Sequence, residues 1–517
     1  MATPDPAPQQ INDPYKAGAR NRLWRDWEPD HRSGDDSINA NWDLLVTRLR
    51  DLQRNEPTVR GLMRTLSKFV IGTGIATFSN ALTLAGATDA AREPGSDEFD
   101  DEFNFESDEL FEEWSEEEAD VQGRLSWQQM QALHFQEVMS AGESLLLKCY
   151  DRDPNRTMPL CFQLLEPEQL DYRMNFPREV SPSGNKIVRG VEINDQGRAV
   201  AYWIFDTHPY DSYSNFNTKS TRIPADRVIH TYLPNRPSEN RGATWFSTNV
   251  QIAKDTDWYV GNELTAAALG ALLTLIVKRK SGAGSGIGFV GDNSSMDGAS
   301  DQYGNSTVKL GRGLVADLGA DDDIKVAESS RPNRDAAPFI KLLSQLQGQG
   351  SGLSLLRVTG DYSQSSYTSA RGAHLDDQAF FLVLQAFCSR SFVRPVRRMH
   401  TIEAAGYGLF RSISARQFEK SRRQMLRVTV QPPGREQLDP EKETESAAAR
   451  IRCGFSTWQD ECGARGKNWR RVALQQRRER QFFSDTLGFV PDLANTVQGK
   501  KAETDSSPEP APQPEAP

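Results

Sequence analysis

The sequence predicts a mixed α+β chain built from several units. Three observations carry that reading: an amphipathic helix pair near the N-terminus, a run of alternating β segments between residues 140 and 235, and a long alanine- and leucine-rich helix interrupted by a glycine-rich insert before helix resumes. At 517 residues the chain exceeds what one hydrophobic core organises.

Residues 1–20 are rich in Pro and Ala, and 491–517 close on "KKAETDSSPEPAPQPEAP". Neither end can bury enough apolar surface to order itself, so a disordered arm and a disordered tail are expected. Between them, "WDLLVTRLRDLQRNEPTVRGLMRTLSKFVIGTGIATF" repeats apolar residues at helical spacing, with Pro57 placed to start a second helix and Gly72 and Gly74 to end it. From Asp97 to Glu118 there are 13 acidic residues and no Lys or Arg, interleaved with Phe99, Phe103, Phe105, Leu110, Phe111 and Trp114. This reads as a solvated helix face with an aromatic underside, or as a partner-docking surface.

Strands follow. "ESLLLKCY" and "PLCFQLLEPEQLD" read as a β pair, "IVRGVEINDQGRAVAYWIF" as a hairpin turning at Asn194 to Gly197, and "RIPADRVIHTYLP" as a further strand. A proline-free helix is then expected from Thr248 to Lys280. Next comes a Gly/Ser/Asp/Asn-rich insert with strand-like pieces at "STVKLGRGLVADL" and "DIKVAES". Helix resumes near Asp335, where Phe339, Leu342, Leu343 and Leu346 share one face. A third long helix is expected from Ala370 to Arg398, kinked or ended by Pro395. Past Pro432 and Pro433 three short helices are predicted, with Asp439 and Pro440 opening the first, Ser456 and Gln459 as a capping box, and Gly454, Gly463 and Gly488 as stops.

Composition narrows the function classes. A net charge of -10 speaks against a protein that grips nucleic acid through a basic footprint, though not against brief contact. Five scattered cysteines without a CxxC argue against a disulfide framework and a zinc site, so reduced thiols and no metal or cofactor are expected. "MATPDPAPQQINDPYK" lacks the basic start and apolar stretch of a secretory signal, and the uncharged run Leu264 to Val277 is too short to span a bilayer, so no membrane partner is expected. Gly286, Gly288 and Gly291 match G-x-G-x-x-G but follow a helix and lead into no second one, which makes them a glycine-rich loop. There is no G-x-x-x-x-G-K-[ST] phosphate loop.

One stretch concentrates chemistry: "DYSQSSYTSARGAHLDDQAFF", Asp361 to Phe381. Tyr367 with Arg371 and His374 could be assembled into a nucleophilic strand-nicking site, but Asp376 and Asp377 follow too closely on the same helix to orient the histidine. The other reading is a polar loop in which Tyr362, Ser365, Ser366 and Tyr367 offer hydroxyls to a phosphate backbone and Arg371 offers one cationic contact.

Several ordered stretches resemble the lambda-like family of tailed-bacteriophage portal proteins. They are "RLRDLQRNEPTVRGLMRTLSKFVIGTGI", "EEADVQGRLSWQQMQALHFQEVMSAGESLLL", "GVEINDQGRAVAYWIF", "IPADRVIHTYLPNRPSENRGATWF", "DYSQSSYTSARG" and "LDPEKETESAAARIRCGFSTWQDECGARGKNWRRV", which together span about residues 20 to 490. The chain departs from the family's pattern at "SENRG", Ser238 to Gly242, and in the density of its acidic run.

The resemblance implies a non-enzymatic head-tail connector: a dodecameric ring at one capsid vertex, conducting double-stranded DNA during packaging and ejection and nucleating procapsid assembly. It also implies partners: the terminase large subunit, a head-completion adaptor, and the major capsid or scaffolding protein, with location in the virion and, during assembly, in the host cytoplasm. The units it implies are a disordered arm (1–20), a wing (21–247), a stem helix (248–280), a clip (281–334), and a second stem helix with its connection (335–360). A tunnel loop (361–370), a kinked helix and return segment (371–431), a helical crown (432–490) and a disordered tail (491–517) follow. Tyr362, Ser365, Ser366, Tyr367 and Arg371 are then the expected DNA-proximal residues, and Asp292, Asn293, Asp297 and Asp301 the expected docking residues of the clip loop. Alternatives are the nicking enzyme above and a different phage neck protein.

Overall fold

The computed structural model describes residues 31–82, 100–176, 184–211, 219–272, 276–278, 289–290, 315–316, 323–325, 336–436 and 439–487. Helix α1 (Gly34–Asn39) leads into α2 (Trp42–Asn55) and α3 (Pro57–Val70). Pro57 opens α3 as expected, where its missing N–H costs nothing, and the Glu56 carboxylate accepts from Val59 N at 2.6 Å. Gly72 and Gly74 then take positive φ and turn the chain into β1 (Ala76–Ser79). The acidic run folds as α4 (Asp101–Glu117), with Phe103, Phe111 and Trp114 buried and the carboxylates mostly outside.

Helix α5 (Trp127–Ala141) starts at a capping box of Ser126 and Gln129 and stops at Gly142. Gly142 has φ 91°, and a Cβ there would collide with the backbone of Ala243, so no other residue fits. Glu143 begins β2 (Glu143–Tyr150), followed by β3 (Leu160–Leu165), β4 (Lys186–Val188), β5 (Val191–Ile193), β6 (Ala199–Phe205), β7 (Ser220–Pro224) and β8 (Val228–Tyr232). They form two antiparallel sheets, one ordered β3-β2-β8 and one a β4-β5-β6-β7 meander. The β5–β6 turn is the expected one: Gly197 N donates to Asn194 O at 2.9 Å, and the Asn194 side chain accepts from Gln196 N and Arg198 N.

Helix α6 spans Asn249–Leu272, shorter than the helix expected to reach Lys280. Ile276–Lys278 is instead a strand, β9, since β-branched Ile276 and Val277 suit a ladder better than a helix end. Strands β10 (Phe289–Val290) and β11 (Val315–Ala316) pair with each other, and β12 (Asp323–Lys325) pairs antiparallel with β9. The glycine motif at Gly286, Gly288 and Gly291 and the clip residues Asp292, Asn293, Asp297 and Asp301 lie outside the described residues, as do both termini.

Helix α7 (Ala336–Ser351) returns along α6. Asn249 Nδ2 donates to Gln347 O at 2.8 Å, Gln347 Nε2 to Thr256 Oγ1 at 3.2 Å, and Tyr259 meets Phe339 edge-on at 5.1 Å. After α8 (Leu355–Thr359) comes α9 (Tyr367–Cys388), which begins three residues before the expected Ala370. Of the two outcomes expected at Pro395, the ending is ruled out, because helix continues past it. A π-helical turn at Ser389–Val393 joins α9 to α10 (Arg394–Gly406), so Pro395 sits in the first turn after an i→i+5 segment, where its missing N–H is absorbed.

Helices α11 (Ala415–Lys420) and α12 (Arg422–Met425) lead to β13 (Val428–Gln431), which pairs with β1 across the sequence. Three helices close the described chain: α13 (Pro440–Arg452), α14 (Trp458–Ala464) and α15 (Trp469–Leu487). Asp439 caps α13 as expected. At α14 the capping box is Thr457 with Asp460, one residue beyond the predicted Ser456 and Gln459.

The main core lies where α3, α4, α5, α9 and α10 converge, with Trp114, Trp127, Phe135, Phe162 and Phe392 inside it. A smaller core, including Leu165, Val191, Tyr202 and Ile204, joins the two sheets.

Candidate functional site

The stretch singled out in the sequence forms a short loop between two helices. Gly360, at φ 65°, ends α8. Asp361 Oδ1 accepts from Ser363 N at 3.0 Å, Ser365 N donates to Tyr362 O at 3.0 Å, and Ser366 Oγ caps α9 by accepting from Ser369 N at 3.2 Å. Tyr362 is 52% exposed and Tyr367 63% exposed, and both share a recess of about 80 Å³ with Arg371 and His374. Ser365 is half-buried, and Ser366 and Arg371 are exposed. All five predicted loop residues are thus within one surface-facing segment, with Tyr367 and Arg371 on the first turns of α9 and the other three on the loop itself.

Charge behind the loop holds it in place. Asp377 is almost fully buried on α9 and accepts from Ser354 N at 2.9 Å and Ser354 Oγ at 2.7 Å. Arg357 lies with its Nε 3.4 Å from Asp377 and donates through Nη2 to Glu436 at 2.9 Å, while its guanidinium stacks 4.4 Å over Phe69. In the sequence Asp377 stands out only as an acid too close to His374 to orient it. The signal that could have found its role is register, because Asp377 shares the buried face of α9 with Phe381, Leu384 and Cys388.

His374 is held through Nδ1. Arg357 Nη2 lies 2.5 Å from His374 Nδ1, and the Gln378 amide lies 2.8 Å from Nε2. Arginine can only donate, so Nδ1 is the acceptor of that bond and is not free to take a proton from a tyrosine. His374 is therefore not poised as a base for Tyr367. What it does offer is a pair of phenol hydroxyls, small hydroxyls, the positive end of a helix and one arginine, a set able to touch phosphates weakly and without reading sequence.

A second polar centre, missed in the sequence, joins the N-terminal helices to the strands. Glu143, wholly buried, accepts from Arg241 Nε at 2.7 Å and Gly242 N at 3.0 Å, and its Oε2 lies 2.9 Å from His230 Nε2. Burial pushes the Glu143 carboxyl up, but Arg241 and His230 outweigh it and hold it at about 2. Arg241 also stacks over Trp42 at 5.2 Å. The departure at "SENRG" is therefore a structural hub: Asn240 N donates to Asp35 at 2.7 Å, and the Glu239 carboxylate accepts from Asn235 N at 2.7 Å.

Elsewhere Glu166, Glu168 and His208 converge closely enough to ligate a cation. Arg50 already supplies a cation to its carboxylates, with its Nε 2.7 Å from Glu168 and its Nη2 3.6 Å from Glu166. The cysteines are free, with Cys161 and Cys388 buried and Cys453 exposed.

Comparison with known proteins follows the same lines. Residues 20–385 match the family model described as phage portal protein, lambda family. The probable portal protein of Halomonas phage phiHAP-1 is 26% identical over 442 residues, covering 84% of this chain and 80% of that one. The portal protein of Escherichia phage N15 and portal protein B of Escherichia phage lambda are each 24% identical over 361 residues, covering 65% of this chain and 66% and 65% of theirs. Among solved structures, a chain from the neck of a native gene transfer agent particle is 11% identical with a TM-score of 0.40, covering 80% of this chain and 92% of that one.

Proposed function

The chain belongs to the lambda family of phage portal proteins, and from that membership we propose that it assembles head-to-tail into a dodecameric ring at one capsid vertex. In this reading the ring conducts double-stranded DNA during packaging and ejection, nucleates procapsid assembly with the capsid or scaffolding protein, and docks first the terminase large subunit and later a head-completion adaptor. The protein itself acts as structure, without catalysis, in the virion and in the host cytoplasm where virions form. Residues 21–247 are proposed as the wing, α6 and α7 as stem helices, 281–334 as the clip, the loop before α9 as the tunnel loop, and 432–490 as the crown.

One observation carries the ring. Helices α6 and α7 pack on each other yet leave Trp258, Leu264, Phe339, Leu342 and Leu346 exposed on a single copy. So many large apolar side chains on one helix pair are unusual for a lone soluble chain, and neighbouring copies would cover them. The loop supports the conduit in a second way, because its hydroxyls and single arginine suit passing contact, and twelve copies at -10 carry about -120, a field that discourages tight phosphate binding.

Two experiments test this. Electron micrographs of the purified protein should show hollow rings. In a packaging reaction with terminase, Tyr362→Ala and Tyr367→Ala together should preserve rings while changing the amount of DNA packaged or retained. Rings whose packaging is unaltered by both substitutions and by Arg371→Ala would remove the loop from the DNA path.

A further inference from the structure

The acidic helix and a cluster of arginines both pack on the same helix, at different points along it. That helix is α5: Trp127 at its start packs toward α4, 6.5 Å from Trp114. Gln136, nine positions later and so about two and a half turns on, lines a groove between α2 and α3. That groove encloses about 540 Å³ and is edged by Arg54, Arg60 and Arg64, with Met63 at its base. None of these three arginines has an ion-pair partner among the described residues, whereas neighbouring Arg50 is fully committed to Glu137 and Glu168.

On α4 three of the acidic side chains are paired within the chain. Asp108 pairs at 2.8 Å with Arg397, which is wholly buried, and Arg470 and Arg471 of α15 reach Asp101 at 2.9 Å and Glu112 at 3.0 Å. Arg397 therefore answers the acidic helix from inside its own copy and is not available to a neighbour. Left over are the exposed carboxylates Glu102, Glu109, Glu113, Glu116 and Glu117, of which the first four, at i, i+7, i+11 and i+14, form one stripe, with Phe105 exposed at its edge. They too lack an ion-pair partner among the described residues.

We propose that these two faces meet between adjacent copies of this chain, the α4 stripe of one seated in the α2–α3 arginine groove of the next. Charge complementarity selects a second copy as the occupant. The stripe is acidic with one aromatic, and the groove is basic with a methionine floor. Because the stripe lies on α4 and the groove on α2 and α3, two separate surfaces packed on α5, each copy can offer one to each neighbour, which is what a head-to-tail interface requires. The pairing rests on the ring proposed above and names the contacts that close it.

The test reverses charge on each face: Glu109→Lys, Glu113→Lys and Glu116→Lys together, and Arg54→Glu, Arg60→Glu and Arg64→Glu together. Ring formation is read by mass photometry at low and high salt, with circular dichroism checking that each variant folds. Each reversed variant should need at least about tenfold more protein to assemble, and added salt should weaken the wild-type ring. Mixing the two variants should restore rings of alternating composition, since every junction again joins opposite charges. A chain carrying both reversals should assemble alone.

Normal assembly of either single-face variant overturns the pairing. So does a failure of mixing and of the doubly reversed chain to restore rings. If the arginine variant assembles normally but loses binding to duplex DNA, the groove serves nucleic acid instead and the pairing falls. A wild type that stays monomeric overturns the ring reading itself, which these outcomes keep separate from failure of the pairing alone.

Discussion

The Glu143 centre and the α6–α7 helix pair handle exposure in opposite ways. Around Glu143 every charge is answered inside one copy: Arg241, His230 and the Gly242 N–H converge on one carboxylate, and Trp42 covers the arginine. Along α6 and α7 the polar bonds are internal but leucines and aromatics face outward. The first region is complete as a monomer, and the second leaves an apolar face that the proposed ring would cover.

The sharpest way to break this contrast is to unbalance the first region. Arg241→Ala leaves a buried carboxylate without its cation and should cost about 3–5 kcal/mol, read as a large fall in the urea midpoint. A midpoint close to wild type would mean the centre is not a stability hub.

Acid attacks the same region more gradually. Burial, with a smaller push from His230, lowers His134 to about 3, and Glu143 is held at about 2. Both folded values lie below the unfolded ones of about 6.5 and 4.3, so the unfolded chain binds more protons as pH falls. Stability from His134 should therefore be full above about pH 6.5 and lost toward pH 3, with that from Glu143 lost below about pH 4.3, each at up to about 1.4 kcal/mol per pH unit. His134→Phe should flatten the upper part of the denaturation curve plotted against pH.

Asp377→Ala tests whether the loop before α9 is anchored from beneath. Loss of the acceptor for Ser354 should cost about 1–3 kcal/mol and speed amide exchange across 354–366. Thr457→Ala should cost about 1 kcal/mol and Ser456→Ala almost nothing, which separates the observed cap from the predicted one. At the small end, Leu342→Ser should change monomer stability by less than about 0.5 kcal/mol while weakening assembly. Equal loss in both readouts would mean that α7 is buried by its own copy.

Local signals were legible in the sequence. Pro57, the Asn194–Gly197 turn and Asp439 each act within a few residues, and each stands where the residue pattern puts it. Long-range pairings were not, because nothing near β1 announces β13, and nothing near Arg397 announces Asp108. For a related reason the sequence does not decide whether helix ends at Pro395 or runs through it. A proline alone signals a break, and only the π turn before it, fitted to packing around Phe392, removes the conflict. At α14 two adjacent hydroxyls competed for one cap, and spacing could not choose between them.

The most direct test of the claim that this copy is completed by its neighbours is the mass and symmetry of the purified protein, by light scattering with averaged micrographs. The account predicts hollow rings near 0.7 MDa, roughly twelve chains of 57.8 kDa. A monodisperse single chain at concentrations that permit assembly would contradict it.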